Sequence, residues 1–201
     1  SGIADCRSVG CGAGGAITNA IGSDTYGNYI NGLSITDWNS SVTGGIQIGT
    51  LAAGGLLDTV VRGVTMQGVN ASTGPAINIR KTSTGVVNGL DIDASIRNGS
   101  AQGILVNGAT NVSIKANIIG VTNACIQIQG GSSAVFVLPG TRLNVNTGTF
   151  GVYVGDTSTA TVSGIRSTGG NYGVYADNTS TVTSLMNDIQ SVASAYYGKA
   201  G

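Results

Sequence analysis

The chain has 201 residues, of which 34 are glycine, 9% are charged and 41% are hydrophobic. The usual shares are about 7% for glycine and about 25% for charge, and low charge with ample apolar content is not the composition of a disordered chain. Nine acids, all Asp, cancel nine bases, and His and Glu are absent. This excludes Ser-His-Asp and Cys-His catalysis and His-ligated metal, and leaves no net charge to drive nucleic-acid or anionic-membrane binding.

Residues 1–16 read as an irregular N-terminal start. Ser1–Asp5 carries no basic segment followed by an apolar one, so no signal peptide is expected. No stretch reaches the roughly 18 apolar residues of a membrane span. Cys6, Cys11 and Cys125 form no disulfide framework, and C-x4-C without a second ligand pair is a weak metal signal. Inert or locally bridged thiols are expected, with neither a metal nor a cofactor.

From residue 16 onward two phrases alternate. One runs Asn31-Gly32-Leu33-Ser34-Ile35, Arg62-Gly63-Val64-Thr65-Met66, Asn88-Gly89-Leu90-Asp91-Ile92 and Asn111-Val112-Ser113-Ile114. The other places an apolar residue at 46, 77, 104, 126, 152 and 174, at intervals of 31, 27, 22, 26 and 22 residues. A further step of 22 reaches Tyr196. Both phrases alternate apolar and polar, the period of a half-buried strand, and Gly, Asn, Ser and Thr punctuate them as turns require. Such a repeat predicts an all-β fold, a single-stranded right-handed parallel β-helix of about seven to eight coils stacked at about 4.8 Å.

That register places Ile46, Ile77, Ile104, Ile126, Val152 and Val174 in one inward column. Ile48, Ile79, Val106, Ile128, Val154 and Ala176 form a second. Residues 1–201 form one domain without a linker. Residues 185–201 read as a last coil in preference to a capping helix, because Tyr197 continues the register of Tyr153 and Tyr175.

Gly-x-Val-Tyr and Asn-Gly-x-x-Ile phrases, Ser/Thr/Asn-rich turns and the absence of His resemble the right-handed β-helix of bacteriophage tailspikes and capsular-polysaccharide depolymerases, a fold shared with pectate-lyase-like proteins. The resemblance spans most of residues 16–198 and lies in the style of the repeat. It implies a homotrimer on the virion (phage tail) that recognises bacterial surface polysaccharide, with cleavage by a hydrolase or lyase left open. No catalytic motif of those families is matched in full, so no catalytic residue carries over. The rival reading is a non-catalytic solenoid, a fibre shaft or a bacterial surface adhesin.

Asp91 and Asp93 are the strongest acid pair. Two residues apart on one strand, they are separated by roughly 6.6 Å, within the roughly 6.5–9.5 Å of an inverting glycosidase pair. Asp91 is assigned as acid and Asp93 as base, in an order that can be exchanged. Phrase alignment sets Thr65 and Gln67 one coil earlier and Ser113 and Lys115 one coil later, with Lys115 the base of a lyase. The alternative is a solvated strand face with an Asp93–Lys115 pair.

A second candidate is the outward column Gln47, Asn78, Leu105, Gln127, Tyr153, Tyr175, Tyr197. Its tyrosines, beside Asp156 and Asp177, suit either a sugar-binding strip or a trimer interface. Stacked threonines at Thr157, Thr159 and Thr161 over Thr179, Thr181 and Thr183 stop after two coils, too few for an ice-binding array.

Overall fold

A computed structural model describes residues 2–4, 7–9, 15–19, 23–38, 45–68, 74–82, 84–97, 101–145, 150–190 and 193–198. Cys6 and Cys11 lie outside them, as do the side chains of Asp37 and Trp38. Among the described residues every regular element is a strand. The strands pair in parallel, in one sheet of eight and one of thirteen.

The eight-stranded sheet contributes one strand per coil: Gly15–Asn19, Ile46–Thr50, Ile77–Arg80, Gln102–Asn107, Ala124–Gln129, Phe150–Val154, Tyr172–Ala176 and Ser194–Gly198. The larger sheet wraps the rest of the coil. In the middle coils it consists of long strands, Gly55–Gly68, Val86–Arg97 and Thr110–Val121, that bend round a corner. In later coils the bend splits the strand, as in Ser133–Val137 followed by Arg142–Val145. Each coil thus has a first side before this corner, a second side after it, and a third side in the eight-stranded sheet.

The expected columns are present residue for residue. Ile46, Ile77, Ile104, Ile126, Val152, Val174 and Tyr196 are successive partners, and Ile46 to Val174 are buried. The first side adds Ile30, Val61, Ile92, Ile114, Val137 and Val162, and the second adds Ile35, Met66, Ile96, Ile118 and Leu143. Branched side chains interdigitate well across a stacked pleat, which is how a narrow core fills without a helix. Toward the C-terminal coils the columns thin, with Ser167 after Leu143, Ser184 after Val162 and Ala176 after Val154.

Two expectations are corrected. Within the start expected to be irregular, the described residues Gly2–Ala4 and Arg7–Val9 are strands that pair with Tyr29–Asn31 and Ser34–Thr36. Their three-residue lengths are too short for a period to show in sequence. The second correction concerns register. Arg62-Gly63-Val64 does not lie under Asn88-Gly89-Leu90; instead Leu57, Thr59 and Val60 pair with Asn88, Leu90 and Asp91.

The cause is that the coils of Gly27 and Asp58 turn left-handed at two corners, whereas those of Gly89 and Asn111 do so at only the first of them. Gly27, Asp58, Gly89, Asn111 and Ala134, which register sets on successive coils, all have φ between 50° and 76°. Gly32 and Gly63 (φ 68° and 61°) mark the next corner. Gly63 and Gly89 look alike in sequence but stand at different corners.

Side chains close the corners. From Gly108 onward the backbone amides that donate to side chains of another coil reach forward to the following one. Amides of Gly108, Ser132, Ala116 and Ile165 donate to Ser132 Oγ (2.9 Å), Ser158 Oγ (3.1 Å), Thr141 Oγ1 (3.3 Å) and Asn187 Oδ1 (3.0 Å). Buried amides need such acceptors, which explains Ser and Thr at the turns.

Candidate functional site

The second side presents two outward columns. Register orders one as Ser34, Thr65, Ser95, Asn117, Arg142, Arg166, Asp188. The other reads Thr36, Gln67, Arg97, Ile119, Asn144, Thr168, Gln190. At the corner beside them Asp93 faces the two-residue bulge Arg62-Gly63 on one coil and pairs in register with Lys115 on the next. Lys115 runs beside the turn at Pro139 and Gly140, where its Cε lies 3.5 Å from the position a Cβ on Gly140 would take.

Two shallow cavities occupy this side. The first, about 290 Å³, is lined by Thr65, Asp93, Ser95, Lys115, Asn117 and Arg142 among others. The second, about 450 Å³, lies between Asn117, Arg142, Asn144, Arg166 and Thr168. They share Asn117 and Arg142 and so make one polar groove across several coils. A larger space of about 560 Å³ near Val174, Val182 and Tyr196 carries no charged group.

Asp93 and Lys115 are register partners as expected and line one cavity, without closing an ion pair among the described residues, and both Asp91 and Asp93 point outward from one strand. The rest of the expected cluster does not assemble. Gln67 pairs with Arg97, well away from Asp91, because of the register shift at the bulge. Asp91 is absent from the cavity lining and its Oδ2 accepts from the Arg62 guanidinium. The hydrogen bond to Asp91 and its charge raise the Arg62 pKa. Asp91 thus has one oxygen engaged by Arg62, while Asp93 lines the cavity.

The tyrosine column forms as read, with Tyr153, Tyr175 and Tyr197 in register. Its orientation differs from a sugar platform. Tyr153 and Tyr175 have centroids 5.5 Å apart with 10° between planes, and Tyr175 and Tyr197 4.8 Å with 6°. Rings side by side in one plane would collide at that distance, so these are offset stacks. The ring faces cover one another along the stack. Phe150 and Tyr172 pack tilted against the column at 4.9 and 5.3 Å from Tyr175.

Burial, then the charges of Asp177 and Asp156, raise the Tyr153 pKa; Tyr175 is raised first by burial and then by its tyrosine neighbours. Gly155 is required here by close approach, since a Cβ would stand 2.6 Å from Tyr153 Cε1 and from its hydroxyl.

Asp177, expected beside a sugar, is committed to the turn. It accepts from Ser180 Oγ (2.7 Å), Thr179 Oγ1 (2.9 Å), the Thr179 amide (3.0 Å) and the Asp156 amide (3.1 Å). Burial acts to raise its pKa, but these hydrogen bonds outweigh it and hold the carboxyl below its ordinary value. Asp156 contributes its amide to this turn and has its side chain exposed. Cys125 is fully buried and its thiol is pushed far up, so it is chemically inert. No group of three or more metal-ligating residues gathers among the described residues.

Sequence reasoning passed over Arg142 and Arg166. They occupy like places in Thr141-Arg142-Leu143-Asn144 and Ile165-Arg166-Ser167-Thr168, the signal that reveals their stacking.

No family model matches the chain, and no curated protein matches it. Among solved structures the A-module of the mannuronan C-5 epimerase AlgE6 from Azotobacter vinelandii is similar, with a TM-score of 0.51 and 18% identity. The match covers 88% of this chain and 63% of that one, so this chain spans less than two thirds of the module's length. At that identity the similarity shows the fold, a parallel β-solenoid.

Proposed function

We propose that this solenoid recognises polysaccharide through its second side. The observation that carries this reading is the polar groove from Thr65 to Thr168, where hydroxyl, amide and guanidinium groups repeat from coil to coil. Repeated hydrogen-bonding groups along a rod suit a ligand that itself repeats. That a module of similar fold belongs to an enzyme acting on mannuronan supports a glycan ligand.

Binding without cleavage is the reading favoured by Asp91, whose carboxylate is paired with Arg62 outside the groove. In the proposal the glycan is of bacterial surface origin, and the protein works on a phage tail or a bacterial cell surface. A homotrimer would bury the tyrosine column.

A glycan array carrying capsular and O-antigen polysaccharides tests recognition, with binding expected and a blank array returning the protein to a purely structural solenoid. Sizing the bound glycan after incubation tests cleavage; unchanged length is the expected result. Light scattering is expected to give a trimer mass, and a monomer at every concentration would remove that part.

A further inference from the structure

The net charge of zero conceals an uneven distribution, in which five cations meet three acids, Asp91, Asp93 and Asp188, along one side. Arg62, Arg97, Lys115, Arg142 and Arg166, five of the nine cations, lie on five successive coils along the second side or its corner. Arg62 is occupied by Asp91, and Arg166 has Asp188 at 3.5 Å. Arg97, Lys115 and Arg142 close no ion pair among the described residues. The tyrosine side, by contrast, is flanked by Asp156 and Asp177 with no cation in its stack.

Within this strip Arg142 stacks directly on Arg166. It is the one pairing among the described residues in which two like charges are register partners. Like charges directly opposite across strands destabilise a sheet. The Arg166–Asp188 contact offsets this little, since its side chains are 60% and 58% exposed and exposed pairs contribute about 0–1 kcal/mol. Locally unfavourable choices in an otherwise consistent sequence mark functional positions.

Arg142 and Arg166, register partners on adjacent coils, line one cavity with Asn117, Asn144 and Thr168, and two guanidinium groups in such a setting suit planar or tetrahedral oxyanions. We infer that Arg142 and Arg166 form an anion subsite, and that the ligand is an acidic polysaccharide lying along the solenoid axis. This rests on the glycan reading above and narrows it to carboxylated or sulfated chains. One coil advances about 4.8 Å, close to one sugar unit of an extended chain, so successive acidic sugars meet successive cations. The outward columns of this side contain no aromatic residue among the described side chains, whereas single-stranded nucleic acid is held on aromatic stacking platforms.

Polygalacturonate and its fully methyl-esterified form test the inference, because they share one backbone and differ in charge. Binding is measured by isothermal titration at low and raised salt, with single-stranded DNA as a third ligand. The wild type is expected to bind polygalacturonate, more weakly as salt rises, and to bind the ester at least tenfold more weakly. Arg142→Gln and Arg166→Gln are each expected to lower affinity about tenfold or more, and Asp188→Asn to raise it a few-fold. Arg80→Gln removes the same charge from the neighbouring side and should leave affinity unchanged.

Wild-type affinity in both Arg142→Gln and Arg166→Gln, or an equal loss in Arg80→Gln, would overturn the subsite. Equal binding of the ester defeats the acidic ligand while glycan recognition stands. Failure of both polymers and of every glycan on the array defeats both readings. Tighter binding of single-stranded DNA than of polygalacturonate would reassign the surface to nucleic acid and overturn the inference.

Discussion

The tyrosine column and the arginine stack are built alike. Each repeats one residue type at one coil spacing on an outer face, and each has its neighbours fixed by register. They behave in opposite ways. Tyr153, Tyr175 and Tyr197 satisfy one another, ring on ring, and need nothing from outside. Arg142 and Arg166 carry like charges in register, and only Arg166 has an acid, Asp188, beside it among the described residues. In a solenoid, a ladder of residues that attract their own kind reads as structure, and a ladder of residues that repel reads as a surface awaiting a ligand.

The sharpest test of that contrast is Tyr175→Ala. Tyr175 touches Phe150, Tyr153, Tyr172 and Tyr197, and aromatic pairs contribute about 0.5–1.5 kcal/mol each beyond burial. A loss of about 2–4 kcal/mol is expected by denaturant titration; a change under about 0.5 kcal/mol would show the column to be ornamental to the fold.

Next is Gly155→Ala. The new methyl meets the Tyr153 ring at 2.6 Å, and displacing it should cost about 1–3 kcal/mol. The same variant should weaken the near-ultraviolet dichroism of the stacked rings. An unaltered spectrum would mean that the ring does not lie over Gly155.

Asp177→Asn comes third, at about 1 kcal/mol after discounting for solvent exposure. The folded pKa of Asp177 is lowered. Its contribution is therefore present above the ordinary carboxyl range and is lost as pH falls through the folded value. The wild-type minus variant stability gap should shrink on acidification, and a gap independent of pH would contradict the turn's dependence on the charged carboxylate.

The smallest effect on stability is expected for Arg142→Gln, within about 0.5 kcal/mol of wild type. Its sign should be stabilising, because it relieves the stack on Arg166. A loss above about 1 kcal/mol would mean that Arg142 serves the fold, and the contrast between the two ladders would fail.

The columns of the third side were legible because each strand there repeats the same short phrase and has one inward-facing pattern, down to Tyr196 after Val174. The groove was only partly legible. Asp93 and Lys115 share a continuous strand pair free of left-handed residues at that corner, so counting along the phrase sufficed. Gln67 was misplaced because Gly63 and Gly89 serve different corners, and a glycine announces a turn without saying which. The Arg62–Asp91 pair depends on the bulge and is invisible to any alignment of phrases. Arg142 and Arg166 were hidden by the charge total, which sums over faces that never see one another.

The corner hydrogen bonds carry a direction in time. Amides at Gly108, Ala116, Ser132, Asp156, Thr157 and Ile165 all donate to side chains 21 to 26 residues further on. A chain leaving the ribosome presents its earlier coils first. Each of these coils therefore emerges with open amides and is finished only by the coil made after it. In this part of the molecule, then, the corner amides of one coil gain their side-chain acceptors only from the coil made after it.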